Sequence, residues 1–203
     1  MPSLRAICVG SVALLAASVV PASAETCMER FVRAATEGNG DGQYRQMVTQ
    51  KIEGAPAETV NEFIMNSHKH WVSKAVTPAA GGWTLLHDGT MYSSSDQGVS
   101  WKEVTKFDEA AAEAAKAQQK SDVQGATEVA CDSETADGQT LDRVHGRYEV
   151  TTGFRNTQVH TYWIDPETGL IVRSEYQTIS PSFKSAVSQK MIPFGDAEVP
   201  VPE

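Results

Sequence analysis

The sequence predicts an α+β fold: a large curved antiparallel sheet, an open or half β-barrel of about ten or eleven strands, covered by two or three helices. Three observations predict it. Short runs rich in β-branched and aromatic residues follow one another, punctuated by turn residues, as in a meander. Only the segments that begin near Thr26 and Asp108 carry a helical pattern or composition. The stretch His160 to Gln177, HTYWIDPETGLIVRSEYQ, reads as strand, tight turn, strand. A strand pair alone is marginal in water, so this one belongs to a larger sheet.

The elements follow in order. In MPSLRAICVGSVALLAASVVPASA, Arg5 is a positive n-region, Ala6 to Val20 an apolar run, and Ala22-Ser23-Ala24 an A-x-A cleavage site. Residues 1–24 are therefore expected to be a signal peptide and 25–203 a single domain. The apolar run is shorter than the roughly 20 residues a spanning helix needs. Cys8 stands at its start, not after it, where a lipoprotein signal would require it. Thr26 and Glu29 form a capping-box pattern, and Met28, Phe31, Val32 and Ala35 follow on one helical face. Gly38-Asn39-Gly40 ends that helix.

Strands are predicted over Tyr44–Ile52, Thr59–Met65, Lys69–Val76, Trp83–His87, Thr90–Ser94 and Val99–Val104. Asp88-Gly89 suits a type I′ hairpin turn. The segment DEAAAEAAKAQQK, Asp108 to Lys120, is a strong helix former with Asp108 as N-cap. It lacks a large apolar residue, so it either approaches a sheet through its alanines as a cover or lies in water as a spacer. Strands resume at Ala126–Cys131, Arg147–Thr152, the organising hairpin and Ser185–Met191. In the hairpin, Pro166 presets φ, Asp165 accepts from N–H groups ahead of it, and Gly169 takes the positive φ. Beyond it Arg173, Glu175 and Gln177 alternate with Val172, Ser174 and Tyr176, giving one wet and one drier face.

The run Trp163, Ile164, Asp165, Thr168, Gly169, Leu170 and Arg173 resembles a hairpin of the periplasmic lipoprotein-carrier (LolA/LolB-like) superfamily. The closing run Ile192 to Pro200, IPFGDAEVP, is similar to the last strand and tail of its relatives. The resemblance is to architecture across residues 25–203. It implies a curved sheet with helices as a movable cover, and it carries over no functional residue. In that family an arginine that holds the cover lies on a different strand, so Arg173 is expected only to pair with Glu175.

The chain has 203 residues and a formal charge of −9. That balance argues against nucleic acid, which needs a basic footprint, and against anionic membrane surfaces. Cys27 and Cys131 remain after the leader is removed. In an oxidising compartment an even pair reads as a disulfide. It would close a loop of about 100 residues, worth up to roughly 4–5 kcal/mol on the chain-entropy model, and pin the first helix to the middle of the sheet. Neither cysteine lies in a C-x-x-C, so no redox role is assigned.

No catalytic constellation emerges. His68 and His70 alternate on a predicted strand and share a face, but no third metal ligand is recognisable. There is no G-x-S-x-G, and the carboxylates Glu109 and Glu113 lie on the wet alanine helix. Trp71, Trp83, Trp101 and Trp163 all fall on predicted strands. With Phe63, Met65, Met91 and Tyr176 they are the candidate apolar lining of a concave face. The same residues make an ordinary core if each packs under a helix, and a one-residue slip of register reverses faces.

The expected function is a non-enzymatic periplasmic binding or carrier-like protein in a Gram-negative type of envelope. It would hold an apolar ligand, a lipid or a lipoprotein acyl chain, without metal or cofactor. The partner is thus an apolar ligand or a lipidated protein. The chain is not expected to be integral to a membrane. An alternative is an envelope interaction or stress-sensing module on the same fold, with no ligand. A secreted hydrolase is the third reading, and it would need His, Ser or carboxylates converging in a cleft.

Overall fold

Helix α1 (Cys27–Glu37) begins where its capping box predicts. The Thr26 hydroxyl accepts from the Glu29 N–H at 3.2 Å, and the Glu29 carboxylate accepts the Thr26 N–H at 2.7 Å. The structure, a computed structural model, describes residues 25–136 and 138–202, so the leader expected at 1–24 lies outside the described residues. The buried residues of α1 are Phe31 and Ala34, with Val32 and Ala35 half-buried beside them. Met28, on the predicted face, is 37% exposed.

Among the described residues, eleven strands form one antiparallel sheet, curved and unclosed. They are β1 (Tyr44–Ile52), β2 (Thr59–Ser67), β3 (His70–Thr77), β4 (Trp83–His87), β5 (Thr90–Ser94) and β6 (Lys102–Lys106). After the second helix come β7 (Thr127–Ala136), β8 (Gln139–Val150), β9 (Asn156–Ile164), β10 (Ile171–Ile179) and β11 (Lys184–Ile192). The order across the sheet is β6-β5-β4-β3-β2-β1-β11-β10-β9-β8-β7. The chain starts at the centre and meanders out to one edge. It crosses on α2 (Glu109–Gln124) to the far edge, then meanders back until β11 pairs with β1. A helix of 16 residues spans roughly 24 Å, so α2 is the strut that joins the two unpaired edges.

Local chemistry sets the turns. Asp88 and Gly89 both take positive φ, 45° and 76°, as a type I′ turn requires. In the β9–β10 turn the Glu167 N–H donates to Asp165 Oδ1 at 2.8 Å, and Gly169 has φ 72°. Asn39, just past α1, clamps this hairpin from outside. It donates to the Ile171 carbonyl at 3.0 Å and accepts the Ile171 N–H at 2.6 Å.

Three expectations need correction. The strand predicted at Arg147–Thr152 is the end of a longer one, β8, because Gly138 (φ 80°) closes a tight β7–β8 hairpin in place of a loop. The strand predicted over Val99–Val104 begins only at Lys102, since Ser94 to Ser100 fold into a turn around Asp96. The disulfide Cys27–Cys131 is present, with Cα atoms 5.8 Å apart, but it ties α1 to the edge strand β7 and not to the middle of the sheet. Of the two readings left open for α2, its exposed alanines fit the one that lies in water, with Val123 of its last turn fully buried.

Two cores lie on opposite faces. On the helix-bearing face Phe31, Ala34 and Val123 pack against Val144, Tyr148, Tyr162 and Ile164. A Cβ at Gly146 would meet the Phe31 ring at 2.7 Å, so glycine there lets α1 settle directly on β8. On the other face Ile64, Val72 and Leu85 are covered by the C-terminal tail through Val199, with Phe194 and Ala197 beside it. Fully burying each such large side chain contributes about 1.5–3 kcal/mol.

Candidate functional site

Antiparallel partners share a face and neighbours along a strand alternate, so the pairing register sorts every strand residue. On the helix-bearing face β1 presents Tyr44, Gln46, Val48 and Gln50, and β2 presents Thr59, Asn61, Phe63 and Met65. β3 adds Trp71, Ser73 and Ala75, β4 Thr84 and Leu86, and β5 Met91 and Ser93. On the other side of β1 the same face carries Ser185, Val187, Gln189 and Met191, then Ser174, Tyr176 and Thr178, then Gln158, His160 and Tyr162. None of these is Asp, Glu, Lys or Arg.

The reverse face of these strands carries charge, much of it in ion pairs. Arg45 bonds Glu62, Arg173 bonds Glu175, and Arg143 holds Asp132 at 2.6 Å and Glu134 at 3.2 Å. Arg173 also lies over the Trp163 ring at 4.2 Å, as Lys74 lies over Trp83 at 4.8 Å.

The helices do not cover the uncharged face evenly. α1 and α2 rest on β7 and β8, leaving β1 to β5 half-exposed on that side with no helix packed on them. Across these strands one register row is apolar throughout: Tyr44 opposite Met65, Met65 opposite Trp71, Trp71 opposite Leu86, Leu86 opposite Met91. At ~4.8 Å between strands the row runs roughly 19 Å. Phe63 flanks it, its ring 5.7 Å from Trp71. The Lys69–Glu109 ion pair, 3.7 Å, brings the first turn of α2 to the β2–β3 turn, next to the row.

Where the row reaches β1 it meets a cavity of about 170 Å³, lined by Asn39, Tyr44, Gln46, Ser174, Tyr176 and Gln189, with Ile171 to Arg173 of β10 beside them. The Gln189 carbonyl oxygen accepts from Ser174 at 2.9 Å and from Tyr176 at 3.2 Å. Burial pushes the Tyr44 and Tyr176 phenols up in pKa, so both stay neutral donors. Behind Tyr176, under α1, His160 Nδ1 lies 2.7 Å from the Tyr162 hydroxyl, and Nε2 faces Gln158 at 3.3 Å and Tyr148 at 3.4 Å. Burial lowers the His160 pKa to about 4 and raises that of Tyr148 to about 12. The whole cluster is uncharged at neutral pH. A larger hollow, about 520 Å³, lies elsewhere, between Lys51, Glu53 and Lys184. Its rim is charged, with Lys184 3.4 Å from Glu53.

The predicted lining divides between the faces. Phe63, Met65, Trp71, Met91 and Tyr176 share the uncharged face. Trp83 and Trp101 pack in the tail-covered core, and Trp163 is buried on the charged face with its Nε1 donating to Glu134 at 3.0 Å. The reason is register: Trp71 pairs with Leu86, three residues from Trp83, so the two tryptophans point to opposite sides. Sequence reading missed Leu86, Tyr44 and the His160–Tyr162 pair. The alternation within each strand contained them, but only pairing shows which alternate set lies together. The His68–His70 pair also separates. His68 sits in a turn with Nδ1 3.0 Å from Asp41, while His70 packs on His87 at 4.7 Å and donates to the Pro200 carbonyl at 3.0 Å. Among the described residues no group of three or more His, Cys, Asp and Glu is placed to hold a metal. No helix among them is long and apolar enough to cross a membrane.

No protein-family model matches the chain, and no curated protein does. Among solved structures it is similar to a LolA superfamily protein from Nitrosomonas europaea: 8% identity, TM-score 0.36, over 84% of this chain and 94% of that one. It is also similar to a chain of the MucA/MucB complex of Pseudomonas aeruginosa, with 14% identity and TM-score 0.39 over 86% of this chain; it spans 60% of that chain. A DUF1329 family protein from Desulfovibrio piger gives 12% identity and TM-score 0.33, over 82% and 90% of the two chains. One of these solved structures is of the superfamily that the β9–β10 hairpin resembles.

Proposed function

We propose that this chain is a non-enzymatic binding protein of the cell envelope that holds an apolar ligand against the uncharged face of β1 to β5. One observation carries the reading. That face is half-exposed, yet it is free of charge and crossed by the Tyr44–Met65–Trp71–Leu86–Met91 row. Contiguous apolar surface left in water is costly, and soluble proteins keep it where something binds. An oxidising compartment agrees with the Cys27–Cys131 disulfide and with the leader expected at residues 1–24. The exposed alanines of α2 are the surface that would close over a bound chain, α2 being hinged at its buried Val123 end.

A second reading rests on the edge strand β6. Val104 is 58% exposed on it, and Val99, in the turn before it, 86%, with Phe107 just after it, a patch suited to pairing with another protein. Native mass spectrometry of the chain purified from periplasm, followed by solvent extraction, separates the two. A bound species of lipid mass that extraction removes supports the ligand reading. A bare chain that recovers one protein in stoichiometric amount supports the edge-pairing reading and rejects the first.

A further inference from the structure

We propose that the ligand is electrically neutral: a single-chain amphiphile whose alkyl chain lies along the Tyr44–Met91 row and whose uncharged hydroxyl or amide headgroup occupies the cavity beside Tyr44. The inference rests on the ligand reading above and narrows it to a class.

The row and the cavity are continuous through Tyr44, which belongs to both. At roughly 19 Å from β1 to β5 the row has the reach of a long alkyl chain, and it is one register row wide, with Phe63 beside it. Away from Tyr44 the neighbouring row turns polar at Ser73, Thr84 and Ser93, so a second chain would lie on hydroxyls.

The cavity offers amides and hydroxyls from Gln46, Gln189, Ser174 and Tyr176. Such groups donate to and accept from hydroxyl, ester or amide headgroups, and they supply no counter-charge. Arg173 borders the cavity, but its guanidinium is turned through the sheet onto Glu175 and the Trp163 ring. A carboxylate or phosphate drawn into the cavity would lose water and meet no cation; an ammonium would meet no anion. Burying an unpaired charge is strongly unfavourable. Charge is therefore the property by which this surface discriminates.

The test compares three probes of one chain length, each below its micelle concentration at pH 8: glycerol monolaurate, laurate and dodecyltrimethylammonium. Binding to the full chain is followed by calorimetry and by tryptophan fluorescence. The expected result is that the monoglyceride binds at least tenfold more tightly than either ion. Laurate or the ammonium binding as tightly as the monoglyceride overturns the neutral-ligand inference and leaves the ligand reading standing. No binding of any probe overturns both. The variant Gln46→Lys supplies a second measurement, because it puts an ammonium on the cavity wall at a half-exposed position. Laurate affinity should rise about tenfold and monoglyceride affinity should fall. A variant that folds, by circular dichroism, and leaves the ratio unchanged rejects the cavity as the headgroup site.

Discussion

Strands β7 to β10 and β1 to β5 belong to one sheet, and the two halves treat the helix-bearing face differently. Under α1 the first half is closed, with Phe31 on Gly146 and Tyr162 fully buried. Burial alone explains why that half is largely uncharged, and even so it keeps one ion pair at its rim, Arg30 to Asp142 at 2.7 Å. The second half is half-exposed and needs no such restraint. Nothing in its packing forbids a lysine at Ser73 or a glutamate at Thr84, since the reverse face of the same strands carries Lys74 and Glu62. The helix-bearing face of β1 to β5 thus lacks charge although its burial does not require that. The neutral ligand proposed above would account for it.

The contrast is most easily broken at the tether. Cys27→Ala with Cys131→Ala should lower stability by up to roughly 4–5 kcal/mol, the chain-entropy value for so long a loop. Because the bond fastens α1 to the edge of the closed half, hydrogen exchange should speed up first in α1, β7 and β8. Uniform acceleration across all eleven strands would mean that the halves do not differ in the way described.

Phe31→Ala comes next. It removes a fully buried ring that contacts Tyr148 and Tyr162 edge-on, at 6.5 and 6.1 Å, and should cost about 3–5 kcal/mol in urea denaturation. Equal losses from Phe31→Ala and from Trp71→Ala would erase the distinction between closed and open halves.

A pH series sharpens the closed half. The folded pKa of His160 is about 4, below the ordinary 6.5, because burial penalises the imidazolium. The unfolded chain therefore binds the extra proton first. The contribution of His160 is fully present above about pH 6.5 and is lost as pH falls toward 4, amounting to about 2–3 kcal/mol. His160→Gln should flatten the stability difference between pH 7 and pH 4 by that amount relative to the parent chain. Identical slopes in the two proteins would show that the Tyr162–His160–Gln158 cluster already accommodates the charge.

Much of this architecture is written locally, and that part was legible. The Thr26–Glu29 capping box, the Asp108 N-cap, the Asp88-Gly89 turn and the Asp165 to Gly169 turn each act over a few residues, and their elements begin and end accordingly. The candidate site depends on longer correspondences. Which alternate set of β3 joins which set of β4 is fixed by the length of the connection between them and by bulges such as those at Met65/Ser67 and Ile171/Arg173. Residue type gives no access to those offsets. Tryptophan is equally at home in a ligand face, under a tail or beneath an arginine, which is how Trp71, Trp83 and Trp163 came to three different surroundings. Gly146, which lets Phe31 approach β8, lay outside the strand predicted from Arg147 and so gave no signal.

The smallest expected effect on stability sits on the open half and carries the largest functional consequence. Trp71 lies mid-row between Met65 and Leu86, half-buried, with Phe63 as its aromatic neighbour. Trp71→Ala removes little that the fold depends on, so denaturation should shift by about 1 kcal/mol or less. The same change cuts the apolar row in two and should reduce monoglyceride binding by tenfold or more. Leu141→Ala is the matched control, a buried residue on the charged face that should cost more stability and leave binding at its parent value. The pair is informative because the two effects run in opposite directions. If Trp71→Ala destabilises strongly and binding falls only in proportion, the row is an ordinary core seen from its edge, and the open half is merely a thinner version of the closed one.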